Sequence, residues 1–143
     1  MPKIPVLISI SANAHRDDDN DEPMSLLTVG EMTLDGEKTT IHYEETLDES
    51  IPAQPVEIVA FQNTVSMMRA GSYETNMVFQ KGQRYEGQYH TPVGTMELAI
   101  YCTRLRYEFD EEGGELLLSY QLDLNSQFTA VHDLELRLMV QHD

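Results

Sequence analysis

Apolar side chains return at every second position in one segment after another from Ile4 to Val140, and most breaks between segments are only two to five residues long. A period of two puts alternate side chains on opposite faces of an extended chain, so each segment reads as a strand with one buried face. Ile4, Val6, Ile8, Ile10 and Ala12 open the series. After a polar loop over 15–23, Met24, Leu26, Thr28, Gly30, Met32 and Leu34 keep phase, and Asp35-Gly36 is a strong hairpin signal. Residues 39–47 follow with Ile41, Tyr43, Glu45 and Leu47 on one face. The next loop holds Asp48, Glu49, Pro52 and Pro55, and no strand is expected to cross it.

Further strands are expected at 56–61, 65–70, 73–79, 84–91, 96–109, 116–124 and 128–140. Gln62-Asn63, Gly71-Ser72, Gly82, Pro92-Val93-Gly94, a 110–114 loop and Asn125-Ser126 separate them. The 96–109 segment changes phase between Cys102 and Leu105, which a bulge near Thr103-Arg104 would reconcile. The total is about ten strands with no convincing helix. A meander of that kind leaves two unpaired edges unless it curls, and closure removes both. The expected fold is therefore all-β, an up-and-down antiparallel barrel, partly or wholly closed, filling a single domain over 1–143. A flattened two-sheet sandwich is the alternative, although it needs longer crossing connections.

Charge narrows the choice of partners. Nine Lys and Arg stand against 25 Asp and Glu, a formal net charge of −16, so the field repels both nucleic acid and an anionic membrane surface. The hydrophobic content of 41% is too high for a disordered acidic tail, so the charge decorates a folded body. Cys102 is the sole cysteine and makes no internal disulfide, which fits a reducing compartment or simply a chain that needs no staple, and a cytoplasmic location is the expectation. Residues 4–10 followed by Ala12-Asn13-Ala14 imitate an export leader, but Lys3 is the one charged side chain before them. Their alternation and Pro5 favour a strand.

The motifs for nucleotide cradles, zinc proteases, redox dithiols and serine hydrolases are absent, and no cofactor is expected. Asp17, Asp18, Asp19, Asp21 and Glu22 suggest a hard cation, but the glycine position of a calcium loop holds Glu22 and strands flank the segment. A solvated acidic loop is the expectation, and no metal site. Of the five histidines, His15, His42, His90, His132 and His142, only His132 falls on an apolar face. Met67, Met68, Met77 and Met96 read as core packing.

Taking the better-patterned face of each strand as inward, the lumen collects Tyr43, Glu45, Arg69, Tyr85, Tyr89, Tyr120 and His132 among aliphatic side chains. Arg69 shares its face with Val65 and Met67, and a guanidinium in that company needs a partner. Two readings stay open here. Arg69 and Glu45 pair or reach water at strand ends, or Arg69 and the tyrosine hydroxyls converge on the head of a small apolar or amphiphilic ligand. An inert barrel working as an interaction module or homo-oligomer is the alternative function, with Leu7, Leu27, Val29, Val59 and Phe61 on the outer faces. An enzyme would require Arg69, Glu45 and His132 to meet in an open pocket.

Several segments, taken in order, also resemble a known family. They are Tyr43-Glu44-Glu45, Arg69-Ala70-Gly71, Phe79-Gln80-Lys81-Gly82, Tyr89-His90-Thr91-Pro92-Val93-Gly94, Phe109-Asp110-Glu111-Glu112-Gly113-Gly114 and Leu118-Ser119-Tyr120. The chain is similar over almost its whole length to the YwiB-like family of small bacterial proteins. That resemblance implies a calycin-type barrel, related in shape to lipocalins and fatty-acid-binding proteins, and a domain of unknown function with no catalytic residues to carry over. The chain has no Trp and so lacks the G-x-W start of secreted lipocalins. Alternate connections of such a meander share one end, so the 17–22 and 48–49 loops are expected to form an acidic rim there.

Overall fold

The computed structural model describes residues 3–15, 24–46, 50 and 52–140. They form ten strands: β1 (Ile4–His15), β2 (Met24–Asp35), β3 (Lys38–Glu45), β4 (Gln54–Phe61), β5 (Thr64–Arg69), β6 (Glu74–Gln80), β7 (Arg84–Thr91), β8 (Gly94–Asp110), β9 (Gly113–Leu124) and β10 (Gln127–Val140). Consecutive strands pair antiparallel, and β1 pairs with β10 as well as β2, so the sheet closes into a barrel. Closure gives each of the ten strands a neighbour on both sides, as the meander requires. The strand expected from Ile4 to Ala12 is β1, which runs on to His15 in the expected loop, and the bulge in β8 falls between Cys102 and Arg104, where the phase changes.

The two tightest turns have a common cause. Gln62 and Asn63 have φ of 50° and 60°, and Asn125 and Ser126 have 52° and 67°. Two successive left-handed residues give the turn whose twist matches that of its flanking strands.

Of the boundaries that differ from expectation, two have a backbone cause. β4 begins at Gln54, so Pro55 lies inside a strand opposite Glu44. A proline loses only its N–H; near a strand start this is tolerated, and its carbonyl still accepts the Ala70 N–H at 3.3 Å. Gly113 and Gly114, expected in a loop, start β9 with φ of 120° and 147°. A Cβ on Gly113 would strike the Leu138 carbonyl oxygen, and one on Gly114 the Glu108 carbonyl oxygen. The pair lets three backbones approach where β8, β9 and β10 meet.

The inner face is unevenly filled. Val6, Ile8, Met32, Ile41, Ile58, Val65, Phe79, Leu116 and Leu136 are fully buried and pack the half of the barrel toward the β2–β3, β4–β5, β6–β7 and β8–β9 turns. Met67 and Met77 join the core, whereas Met68 faces outward and is exposed, because strand phase turns adjacent residues to opposite sides. The acidic loops expected at 17–22 and 48–49, and His142, lie outside the described residues.

Gly114→Ala is expected to lower the free energy of unfolding by about 3 kcal/mol or more, since both the left-handed backbone and the carbonyl contact oppose a methyl group. Urea denaturation checks this. An unchanged midpoint would mean that β9 can shift to accommodate it.

Candidate functional site

Strand register gathers the polar interior. Tyr43 pairs with Val56, Val56 with Arg69, Arg69 with Thr75, Thr75 with Tyr89 and Tyr89 with Met96, a single row crossing six strands from β3 to β8. Residues in one row share a face, so all of them turn inward together. Glu45 stands one inward position beyond Tyr43, and its Oε2 accepts the Arg69 Nε–H at 2.7 Å. The pair is shielded, with side-chain exposures of 22% for Arg69 and 13% for Glu45.

A cavity of about 240 Å³ opens beside this pair. Glu45, Arg69, Tyr73, Thr75, Tyr89 and Tyr120 bring the polar groups, and Met77, Leu98, Leu122 and Leu124 the apolar wall. Tyr73 enters from the β5–β6 connection, which Gln54 anchors. The buried Gln54 amide donates to the Tyr73 carbonyl at 2.9 Å and accepts the Tyr73 N–H at 2.8 Å. The Tyr73 and Tyr89 rings lie 6.3 Å apart. Tyr120 is held from two sides, stacked on His132 at 5.0 Å and tilted against Phe79 at 4.9 Å.

Burial sets the electrostatics. It pushes the Tyr43 hydroxyl up to about 12, against the opposing pull of the Arg69 charge. Burial likewise raises Tyr89 and Tyr120, again opposed by Arg69. For Arg69, burial acts downward, but the adjacent Glu45 carboxylate outweighs it and the guanidinium is held firmly charged. The tyrosines are therefore neutral hydrogen-bond donors across the physiological range. The Glu45 bond engages Nε, which leaves the two terminal amino groups of Arg69 as further donors. The Thr75 hydroxyl is the one buried side-chain polar atom without a hydrogen-bond partner among the described residues.

Of the residues expected in the lumen, Glu45, Arg69, Tyr89 and Tyr120 line the cavity, and Tyr43 is buried in the same row. Tyr85 is inward on β7 but outside this lining, and His132 supports the Tyr120 ring. Arg69 and Glu45 meet, while His132 is absent from the cavity wall, so the trio named for catalysis does not line one pocket. Tyr73, Thr75, Leu98, Leu122 and Leu124 are not among the residues expected there, and Met77, read from the sequence as core packing, also lines the cavity. Thr75 and Tyr73 share the phase of Met77 and Phe79, and that was the signal available. Gln54 had none, standing beside Pro55 in an expected loop. Among the described residues, no three His, Cys, Asp or Glu side chains gather to hold a metal ion.

Residues 8–136 match the model of a family described as Domain of unknown function (DUF1934). The chain belongs to that family. The uncharacterized beta-barrel protein YwiB of Bacillus subtilis (strain 168) is 24% identical over 118 residues, 82% of each chain. A crystal structure of the ywiB protein from Bacillus subtilis matches with a TM-score of 0.87 at 20% identity, over 98% of this chain and 94% of that one. The resemblance drawn from the ordered segments is thus borne out, and the ten-strand closed barrel is a DUF1934 fold.

Two tests probe this DUF1934 interior. Arg69→Met leaves the shielded Glu45 carboxylate unpaired and is expected to cost about 2–3 kcal/mol, below the full figure for a buried pair because both partners keep some solvent. Arg69→Met with Glu45→Met should recover most of it, read by urea unfolding of all four members of the cycle. Tyr43 gives a pH signature, because its folded value of about 12 stands above the ordinary 10.0. The unfolded chain loses this proton first, so the stabilisation is complete below pH 10 and is lost as pH rises to 12. Tyr43→Phe should remove about 2 kcal/mol of that fall, by the same unfolding assay across the interval.

Proposed function

We propose that this protein is a cytoplasmic ligand-binding barrel that holds a small apolar or amphiphilic molecule in the interior cavity, its polar end against Arg69 and Thr75. The observation that carries the reading is the Thr75 hydroxyl, 7% exposed and unpartnered, beside an arginine with amino groups to spare. Buried polar groups are hydrogen-bonded in the great majority of proteins, so such a group supports a partner that the chain itself does not supply. The surrounding tyrosine hydroxyls add donors, which favours a head rich in acceptors. Glu45 already neutralises Arg69, and the chain carries −16 overall, so a neutral acceptor such as a ketone, ester or amide suits the site better than a multiply charged anion.

Size narrows the ligand further. Drug-sized pockets start at roughly 300 Å³, and a cavity of about 150 Å³ admits benzene. At about 240 Å³, the site fits one or two rings, or a short chain, with a single polar group.

A second reading has its own observation. Leu7 lies between Met139 and Val29 in register, and Leu27 is near them; Leu27, Val29 and Met139 are 68%, 67% and 54% exposed on the outer wall. A contiguous apolar patch of this kind favours a homo-oligomer. Val59 and Phe61, on β4, stand apart from it.

Titration with the neutral naphthyl ketone prodan tests the first reading, alongside native mass spectrometry of the purified protein. Saturable binding with a blue-shifted emission is expected, weakened about tenfold by Thr75→Val, the loss of one buried hydrogen bond. No saturable binding and no co-purifying molecule would overturn it. Light scattering on the same samples tests the second, for which a mass above one chain that Val29→Lys returns to a monomer is expected.

A further inference from the structure

The wall of the barrel is not equally closed all round. β4 and β5 pair from Val56↔Arg69 to Phe61↔Thr64, and β7 and β8 from Arg84↔Tyr101 to Thr91↔Gly94. Between them, β6 and β7 pair only at Glu74↔His90 and Thr75↔Tyr89. Beyond Thr75 the stretches 76–80 and 84–88 run without register partners in each other. Their connecting turn is drawn to β8 instead. The Gly82 N–H donates to the Cys102 carbonyl at 2.8 Å, and the Cys102 N–H to the Gln83 carbonyl at 3.4 Å.

A second cavity, of about 440 Å³, lies along this seam. Thr75 and Asn76 line it from β6, and Gly87 and Gln88 from β7. Its lining takes Met68 and Asn76 from the outer face and Arg69, Thr75 and Tyr85 from the inner face, at the place where register between β6 and β7 lapses. At its inner end it reaches Arg69 and Thr75, which also line the interior cavity. The two spaces meet at the residues assigned to the ligand head.

Tyr85 and Gly87 share the inward phase on β7, and the tyrosine ring lies over the glycine. A Cβ on Gly87 would stand 3.0 Å from both Cε2 and the hydroxyl oxygen of Tyr85. Gly87 is not among the residues with positive φ, so its backbone does not demand glycine. The missing side chain leaves room for the ring.

We propose that the β6–β7 seam is a side port by which the ligand reaches the lumen, with the Tyr85 ring as its movable leaf and Gly87 as the hollow beneath it. The proposal rests on the ligand-binding reading above and adds the route and its gate. A passage between two strands joined at both ends is a slot, so it selects flat or thin molecules.

The test follows a thiol placed at the inner end of the slot. In a Cys102→Ser, Thr75→Cys background, the rate of alkylation by iodoacetamide reports access to that point. Gly87→Val fills the hollow and blocks the leaf, and should slow alkylation at least tenfold. Tyr85→Ala removes the leaf and should speed it several-fold. Loss of fold would speed both, so a slower Gly87→Val is an outcome that misfolding cannot produce. With the native Thr75 and Cys102 restored, Gly87→Val should slow association and dissociation of prodan by a similar factor in stopped flow. Alkylation at the parent rate in both variants would overturn the port, whether or not prodan binds. Shifted alkylation rates without prodan binding would support the port and count against the binding reading alone.

Discussion

The continuous register between β1 and β10, from Val6↔Val140 to His15↔Val131, is what the remaining structure depends on. A ten-strand meander without it would expose two long strand edges, each a template for further pairing. With it, every strand has a neighbour on both sides, and the sheet must tilt and stagger to close. That stagger carries a single row from Tyr43 through Arg69 and Thr75 to Tyr89. Groups separated by dozens of residues in sequence are thereby turned toward one interior space.

An interior of this size cannot be filled uniformly by ten strands of alternating side chains. The half packed by Ile8, Met32, Ile58, Phe79 and Leu136 excludes water completely, and supplies the hydrophobic stabilisation. The other half holds an ion pair, several phenols and a lone hydroxyl around open space. A shielded ion pair contributes little net stability, since desolvating the charges offsets most of their attraction. The polar half is thus tolerated by the fold rather than required by it. That contrast is the physical ground for assigning it a ligand.

The fold was largely legible before the structure. Alternation located the strands, the change of phase located the bulge between Cys102 and Arg104, and turn residues marked most of the connections. The errors came where backbone contacts decide. Gly113 and Gly114 look like loop glycines, yet they serve strands that approach too closely for any Cβ. Pro55 looks like a strand breaker, yet it loses only one donor. Within the site, Arg69, Glu45, Tyr89 and Tyr120 could be named from phase, whereas Gln54 could not. Its two bonds to the Tyr73 backbone depend on a connection whose path no local pattern encodes.

The sequence by itself determined that this chain is all-β and antiparallel, because period-two alternation with short turns admits few other buried solutions, and the β1–β10 register decided for a closed barrel over a sandwich. It also determined which side chains face inward, since phase along a strand is a local property. Only the tertiary structure decided which of those side chains meet. That depends on the stagger between strands, which turns phase into a row, and on where β6 and β7 fail to pair. The Arg69–Glu45 bond, the orphaned Thr75 hydroxyl and the seam beside it are all consequences of register, a property of pairs of strands that no single segment contains.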